Sequence, residues 1–322
     1  MFIPSLLGRS IALVTMLVVF NVQYSFASTD KVALSSLFPN QEVKRCDSQP
    51  GELLLEPNQP LVLIVHGCRS SAGQFKALSK VYEHLGEQSA CFEYKDRSSL
   101  DKVSGQLIDA INTLSPIVGE ERIVVLGHSQ GGLVTRRAHM ADRVDRKTLT
   151  HSMIDIATIS TPLNGINAAS HCGLDWLRVA SLGLVDAICY LISGSKYLEI
   201  PPQSDFISQP GQLATPVASH LIIKTNEINT CRVQSQSGTC QQDDYVFSIE
   251  EQTQAQIEKS VLSTALVVDA GHVEIVGNEI TPPWKLIHVL QDNGLMKYPD
   301  GSESESFVQV VNQIYQKNNL LM

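Results

Sequence analysis

The chain has 322 residues, 43% of them hydrophobic, and a net charge of −9. That much apolar material can bury a sizeable core. An acidic chain without a basic run excludes the electrostatic footprint of a nucleic-acid binder.

The first segment reads as an export signal. Arg9 is the only charge before Asp30, and it precedes the apolar run Ile11 to Phe20. Ser25-Phe26-Ala27 places small residues at the −3 and −1 positions of a cleavage site. A signal peptide over 1–27 is therefore expected, with a secreted or periplasmic mature protein over 28–322. The apolar core of this segment is only about ten residues, against roughly 20 for a membrane anchor. Seven cysteines suit an oxidising compartment. Connectivity does not follow from sequence; the candidate pairs are Cys231 with Cys240, stapling a polar loop, Cys172 with Cys189, bracketing another local segment, and Cys46 with Cys91, linking the N-terminal region to a strand end. Cys68 is left over.

Beyond the signal, apolar runs alternate with amphipathic helical patterns. This predicts a mostly parallel sheet with helices on both faces. Leu61–Val65 is a buried strand, and Phe75, Leu78, Val81, Tyr82 and Leu85 then recur at helical spacing. Cys91–Tyr94 reads as a strand, and Leu100 to Leu114 marks a helix face. Ile123–Leu126 is a central strand running into a glycine-rich turn, followed by a helix from Leu133 to near Asp142. Met153–Ile159, Leu221–Lys224 and Thr264–Asp269 are further strands, and Phe307–Lys317 is a C-terminal helix. Between 160 and 218 the alternation stops. The stretch is too long for a plain loop and rich in Leu, Val, Ile and Trp, so it is expected to form a helical cap over the sheet.

Gly127-His128-Ser129-Gln130-Gly131 matches G-x-S-x-G between a strand and a helix. This context predicts a sharp elbow that lifts the serine hydroxyl above the sheet. A serine needs a base. His272 follows the last apolar strand and a glycine. The base needs a carboxylate, and chain order places it before the histidine. Asp244 is the expected acid, with Asp243 and Glu227 as alternatives. The oxyanion would be met by the backbone N–H of Gln130, after the nucleophile, and that of Cys68, in the loop after Leu61–Val65. His66 is expected to brace that loop. No metal motif stands out, since there is no C-x-x-C pair and no H-E-x-x-H, and no cofactor is implied.

These pieces resemble the lipase-like α/β hydrolases of bacterial lipase and esterase type. The matching segments are Val65-His66-Gly67, Gly127 to Gly132, Asp244-Tyr-Val-Phe247 and Gly271-His272, in the right order over about two thirds of the chain. Ser160-Thr161-Pro162, after a strand, is similar to the T-P turn of bacterial lipases and of related deacylases acting on lipid anchors, and Pro202 to Phe206, after the cap, is similar to the helix that follows the lid in those enzymes. The resemblance implies a serine hydrolase with Ser129, Asp244 and His272 as triad and Cys68 and Gln130 as oxyanion hole. Its substrate would be a carboxylic ester, with an acyl chain or lipid suggested by the apolar cap, which would touch a lipid surface transiently. Two departures bear on the acid: Tyr245 stands where glycine usually follows the aspartate, and Ser248 where proline often follows. Alternatives are an acyl-protein or acyl-carrier thioesterase using the same machinery, and a non-catalytic binding protein with this fold.

Overall fold

The computed structural model describes residues 30–46, 52–68, 70, 72–172, 174, 181, 184–235, 237–277, 281–301 and 304–318. The expected signal peptide, and much of the apolar stretch between Gly173 and Gly183, lie outside them.

Three short strands come first: β1 (Val32–Ala33), β2 (Val43–Lys44) and β3 (Leu54–Leu55). Then follow β4 (Leu61–Val65), β5 (Gln88–Phe92), β6 (Ile123–His128), β7 (Ile154–Ile159) and β8 (Val217–Asn226). The exposed strands β9 (Cys231–Gln234) and β10 (Cys240–Asp243) form an antiparallel hairpin, and β11 (Ser263–Asp269) is last. Seven of these make one sheet in the order β11-β8-β7-β6-β4-β5-β2. All neighbours in it are parallel except the edge strand β2, which runs against β5.

The sheet is sandwiched as its sequence predicts. Successive residues of a strand point to opposite faces. Leu61, Leu63 and Val65 of β4 pack into one core with the helix Leu100–Val118 and with Leu133 and Val134. Val62 and Ile64 pack into the other, with the helices Lys76–His84, Trp284–Asp292 and Ser304–Asn318. Burial on both faces is why β4, β6 and β7 read as unbroken apolar runs. The helix Leu100–Val118 starts where Ser99 accepts the N–H of Lys102, and ends at Gly119 with φ 68°.

Boundaries shift at β5, which ends at Phe92 rather than Tyr94, and at the helix after Ser129, which spans Gln130–Ala138. The helix Trp284–Asp292 was not expected from the sequence. The segment Cys231–Cys240, read as a stapled loop, is the β9–β10 hairpin. The three disulfides are Cys46–Cys91, Cys172–Cys189 and Cys231–Cys240, and Cys68 is free. Within 160–218 the helix Leu184–Ser193 and the turn Gly194–Leu198 lie against the Arg97–Asp101 loop. Arg97 donates to the carbonyls of Tyr190 and Leu191, and Glu199 accepts from Ser99 Oγ and the N–H groups of Leu100 and Asp101. No helix among the described residues is long and apolar enough to cross a membrane.

Candidate active site

Strand order reverses at β4: β5 lies on one side of it and β6 on the other. A crevice opens at the carboxyl ends of strands at such a switch point, where ligands bind in open α/β sheets. The residues singled out in the sequence converge there. Ser129 directly follows β6, Ser160 follows β7 and Glu227 follows β8, while His272 comes three residues after β11. Parallel register aligns these ends, pairing His128 with Ile159 and Asn226 with Asp269.

Ser129 has φ 55° and ψ −124°, a strained region for a residue with a side chain. Its N–H is held by the Ile159 carbonyl (2.9 Å), and the helix Gln130–Ala138 starts at once. This is the expected elbow. The glycines around it are places of close approach. A Cβ on Gly127 would lie 2.5 Å from the Gly131 carbonyl oxygen, and one on Gly131 would lie 2.3 Å from that of Val65. With the sheet order and this turn in hand, the architecture can be named. The chain has the α/β-hydrolase fold.

His272 Nε2 lies 3.0 Å from Ser129 Oγ, and both residues are 7% exposed. The N–H of His272 donates to the Asp244 carbonyl, and the edge of Phe247 packs on the ring at 5.0 Å between centroids. His128 Nε2 lies 3.0 Å from the His272 carbonyl oxygen, so His128 carries its proton there.

The acid is where expectation and structure part. Asp244 is buried, but its carboxylate serves the loop rather than the ring. Oδ1 accepts from Arg232 (2.7 Å), and Oδ2 accepts the N–H groups of Val273 and Glu274 (2.9 Å each). Asp243 is exposed at the end of β10. The carboxylate on the imidazole is that of Glu227, with Oε1 3.1 Å from His272 Nδ1. The β9–β10 hairpin explains the displacement. It is inserted after Glu227, so Asp244 returns one layer behind the histidine, where it holds the backbone on which His272 sits. Gly271 must be glycine, because a Cβ there would lie 2.2 Å from Asp244 Oδ2.

Glu227 is fully buried. Burial pushes its carboxyl up, but His272 and the N–H groups of Phe247 (2.8 Å) and Val246 (2.5 Å) outweigh this and hold it below the usual range. It stays an anion beside the ring of His272. Ser160 Oγ is close to both partners, 2.7 Å from His272 Nδ1 and 2.8 Å from Glu227 Oε1.

On the other side of Ser129, Gly67 leaves room for its side chain, since a Cβ there would lie 3.0 Å from Ser129 Cβ. His66 stacks on Tyr94 at 4.3 Å, and its Nδ1 lies 2.9 Å from the Gly67 carbonyl oxygen, while Tyr94 Oη donates to the His66 carbonyl. His66 thus sits as a brace. Cys68 and Gln130 meet through Lys196, a residue not singled out from the sequence. Its ammonium donates to Cys68 Sγ (3.1 Å), the Asp96 carbonyl (2.8 Å) and Gln130 Oε1. Lys196 is 4% exposed and comes from the turn after the cap helix. Its sequence signal is weak: Lys196 is one of several charged residues scattered through the insertion, with Asp175, Arg178, Asp186, Glu199 and Asp205.

Several histidines around the sheet are buried and neutral. Burial lowers His128 to about 3 and His139 to about 4, and His220 lies well below 6.5, with the charge of Arg136 adding to the last two. The unfolded chain takes up protons on these residues near pH 6.5, while in the folded chain His139 takes one only near pH 4 and His128 only near pH 3. Protons therefore favour unfolding below pH 6.5. We expect the urea midpoint to fall steadily from pH 6.5 to 4, and to fall less steeply in His139→Gln. A midpoint flat over this window would contradict it.

No protein-family model matches the chain, and no curated protein is recognisably similar to it in sequence. Solved structures are similar in shape. The mature form of lipase BlEst2 from Bacillus licheniformis is 11% identical, covering 79% of this chain and 97% of its own, with a TM-score of 0.48. A monoacylglycerol lipase from Paleococcus ferrophilus is 14% identical, over 81% and 95%, with a TM-score of 0.40. Lipase B of Aspergillus fumigatus is 18% identical, over 73% and 53%, with a TM-score of 0.40. At such identities, what those proteins cleave does not transfer to this chain.

Proposed function

We propose that this protein is an exported serine hydrolase that cleaves carboxylic esters of acyl or lipid character through an acyl-enzyme intermediate. The 3.0 Å contact between Ser129 Oγ and His272 Nε2, at a strained elbow beside a glycine loop, carries this reading. As Ser129 attacks the carbonyl carbon, its proton passes to Nε2. The imidazolium is stabilised on its far side by Glu227. The negative charge that develops on the carbonyl oxygen falls to the backbone N–H groups of Gln130 and Cys68. His272 then returns the proton to the leaving alcohol, and water releases the acid by the same steps in reverse.

The acyl and lipid part of the proposal is supported by the cap. Tyr190, Leu191 and Leu198 are 52%, 70% and 45% exposed, an apolar group suited to a lipid surface. Export is supported by the signal-like sequence over 1–27 and by three disulfides.

The test is labelling with a fluorophosphonate. The expected result is one label per chain, on the peptide containing Ser129, and none on Ser129→Ala. Equal labelling of both would refute the nucleophile. A series of p-nitrophenyl esters from acetate to palmitate then tests the acyl preference, which fails if only acetate is cleaved.

A further inference from the structure

The hydroxyl of Ser160 belongs to no part of the reaction just described, yet it is the atom closest to His272 Nδ1. It is 2.7 Å from that nitrogen, whereas Glu227 Oε1 is 3.1 Å away. Ser160 is wholly buried and has φ 44°, an unfavourable conformation for a residue with a side chain. Its N–H is fixed by the Ile223 carbonyl (2.8 Å).

Counting protons gives the direction of each bond. Ser160 Oγ has one proton and two lone pairs. The neighbours within reach are His272 Nδ1, Thr225 Oγ1 (2.7 Å) and Glu227 Oε1 (2.8 Å). Glu227 is ionised and can only accept, so the proton of Ser160 goes to it. The N–H of His272 then donates to Ser160, and the O–H of Thr225 is shared between Ser160 Oγ (2.7 Å) and Glu227 Oε1 (2.8 Å). Thr225 is itself fixed, because its backbone N–H donates to Gln252 Oε1 (2.8 Å) and its carbonyl accepts from Gln252 Nε2 (2.9 Å). Every site on the Ser160 oxygen is used.

We propose that Ser160 is a positioning residue that links the imidazole of His272 to Glu227, so that the carboxylate acts largely through a bridging hydroxyl. This rests on the reading of Ser129 and His272 as the reacting pair. In the transition state the positive charge on the ring polarises the Ser160 O–H toward Glu227, and the bridge strengthens. The strained backbone after β7 keeps the hydroxyl in line.

The groups facing the ring set the pH response. Glu227 and Ser160 face Nδ1, Ser129 faces Nε2, the edge of Phe247 packs on the ring, and the neutral ring of His128 lies at 4.9 Å. Removing the hydroxyl takes an acceptor from the protonated ring and leaves the rest in place. For Ser160→Ala we therefore expect kcat to fall roughly 10- to 100-fold with KM little changed. The acid limb of the kcat/KM profile should move to lower pH. Ser160→Gly relieves the backbone strain but also lacks the hydroxyl, so it should match Ser160→Ala. Thr225→Val should show a smaller loss in the same direction.

Unchanged rates in both Ser160 variants would overturn the proposal. So would a loss of rate with the acid limb unmoved, or a Gly variant as active as wild type, since either would mean a packing role. If Ser160→Ala does not fold, Ser160→Gly and Thr225→Val carry the same readout. The reading beneath it fails separately, if Ser129→Ala still takes up the fluorophosphonate.

Discussion

Glu227→Gln is expected to lower kcat by roughly three to four orders of magnitude, in line with amide replacement of a triad acid. An amide has one accepting oxygen, where the site uses both oxygens of the carboxylate. Oε1 faces Ser160 and His272, and Oε2 accepts the N–H groups of Val246 and Phe247. Whichever way the amide turns, its NH2 meets donors on one side. If it meets the ring, the wrong tautomer of His272 is favoured. If it meets the backbone, two buried N–H groups lose their acceptor, at a cost of about 1–3 kcal/mol each.

Asp244→Asn is the paired measurement. It removes the negative charge beside Arg232 and turns an NH2 either against Arg232 or against the N–H groups of Val273 and Glu274, without touching the imidazole. We expect a clear drop in the urea midpoint, and a loss in kcat of less than about tenfold while the chain is folded. Rates on a p-nitrophenyl ester and denaturation curves of the two variants decide the matter. If folded Asp244→Asn were as inactive as Glu227→Gln, Asp244 would be the acid and the assignment to Glu227 would be wrong.

The second large effect is expected at Gly131. A methyl group there would sit 2.3 Å from the Val65 carbonyl oxygen and 2.5 Å from that of His66. Both are backbone atoms of the central strand and its loop, so neither can swing aside. Gly131→Ala should cost at least about 1–3 kcal/mol, the usual range for overpacking. It should also slow the reaction, because the residues pushed away lead directly into Gly67 and Cys68. Gly86→Ala provides the contrast. That glycine has φ 68° but nothing within 4 Å of an added Cβ, so the cost is about 1–2 kcal/mol of backbone strain with kcat unchanged. A Gly131→Ala protein as stable and active as wild type would mean that the helix after Ser129 sits further from β4 than described.

The sheet was legible in the sequence because its signals are local. An unbroken run such as Leu61–Val65 reads as buried on both faces, and three of the expected strands match the observed ones to within one residue at each end. The helix Trp284–Asp292 was legible but passed over: Pro282-Pro283 marks its start, Leu286, Ile287 and Leu290 its buried face, and Asn293-Gly294 its end. Disulfide pairing was readable to the extent that each partner lay near the other along the chain or at a strand end.

The amino-acid sequence by itself singled out Ser129 and His272, because each is announced by its immediate neighbours: an apolar strand, a glycine and a turn. Only the tertiary structure decided which carboxylate meets His272. Asp244 and Glu227 both follow β-structure, and the difference lies in the direction in which an inserted hairpin returns the chain. The contacts of Ser160 with His272 and of Lys196 with Gln130 were invisible for the same reason. A hydroxyl after β7 and an ammonium from the cap acquire their places from parallel register and from packing across more than sixty residues of chain, and no local pattern encodes such a contact.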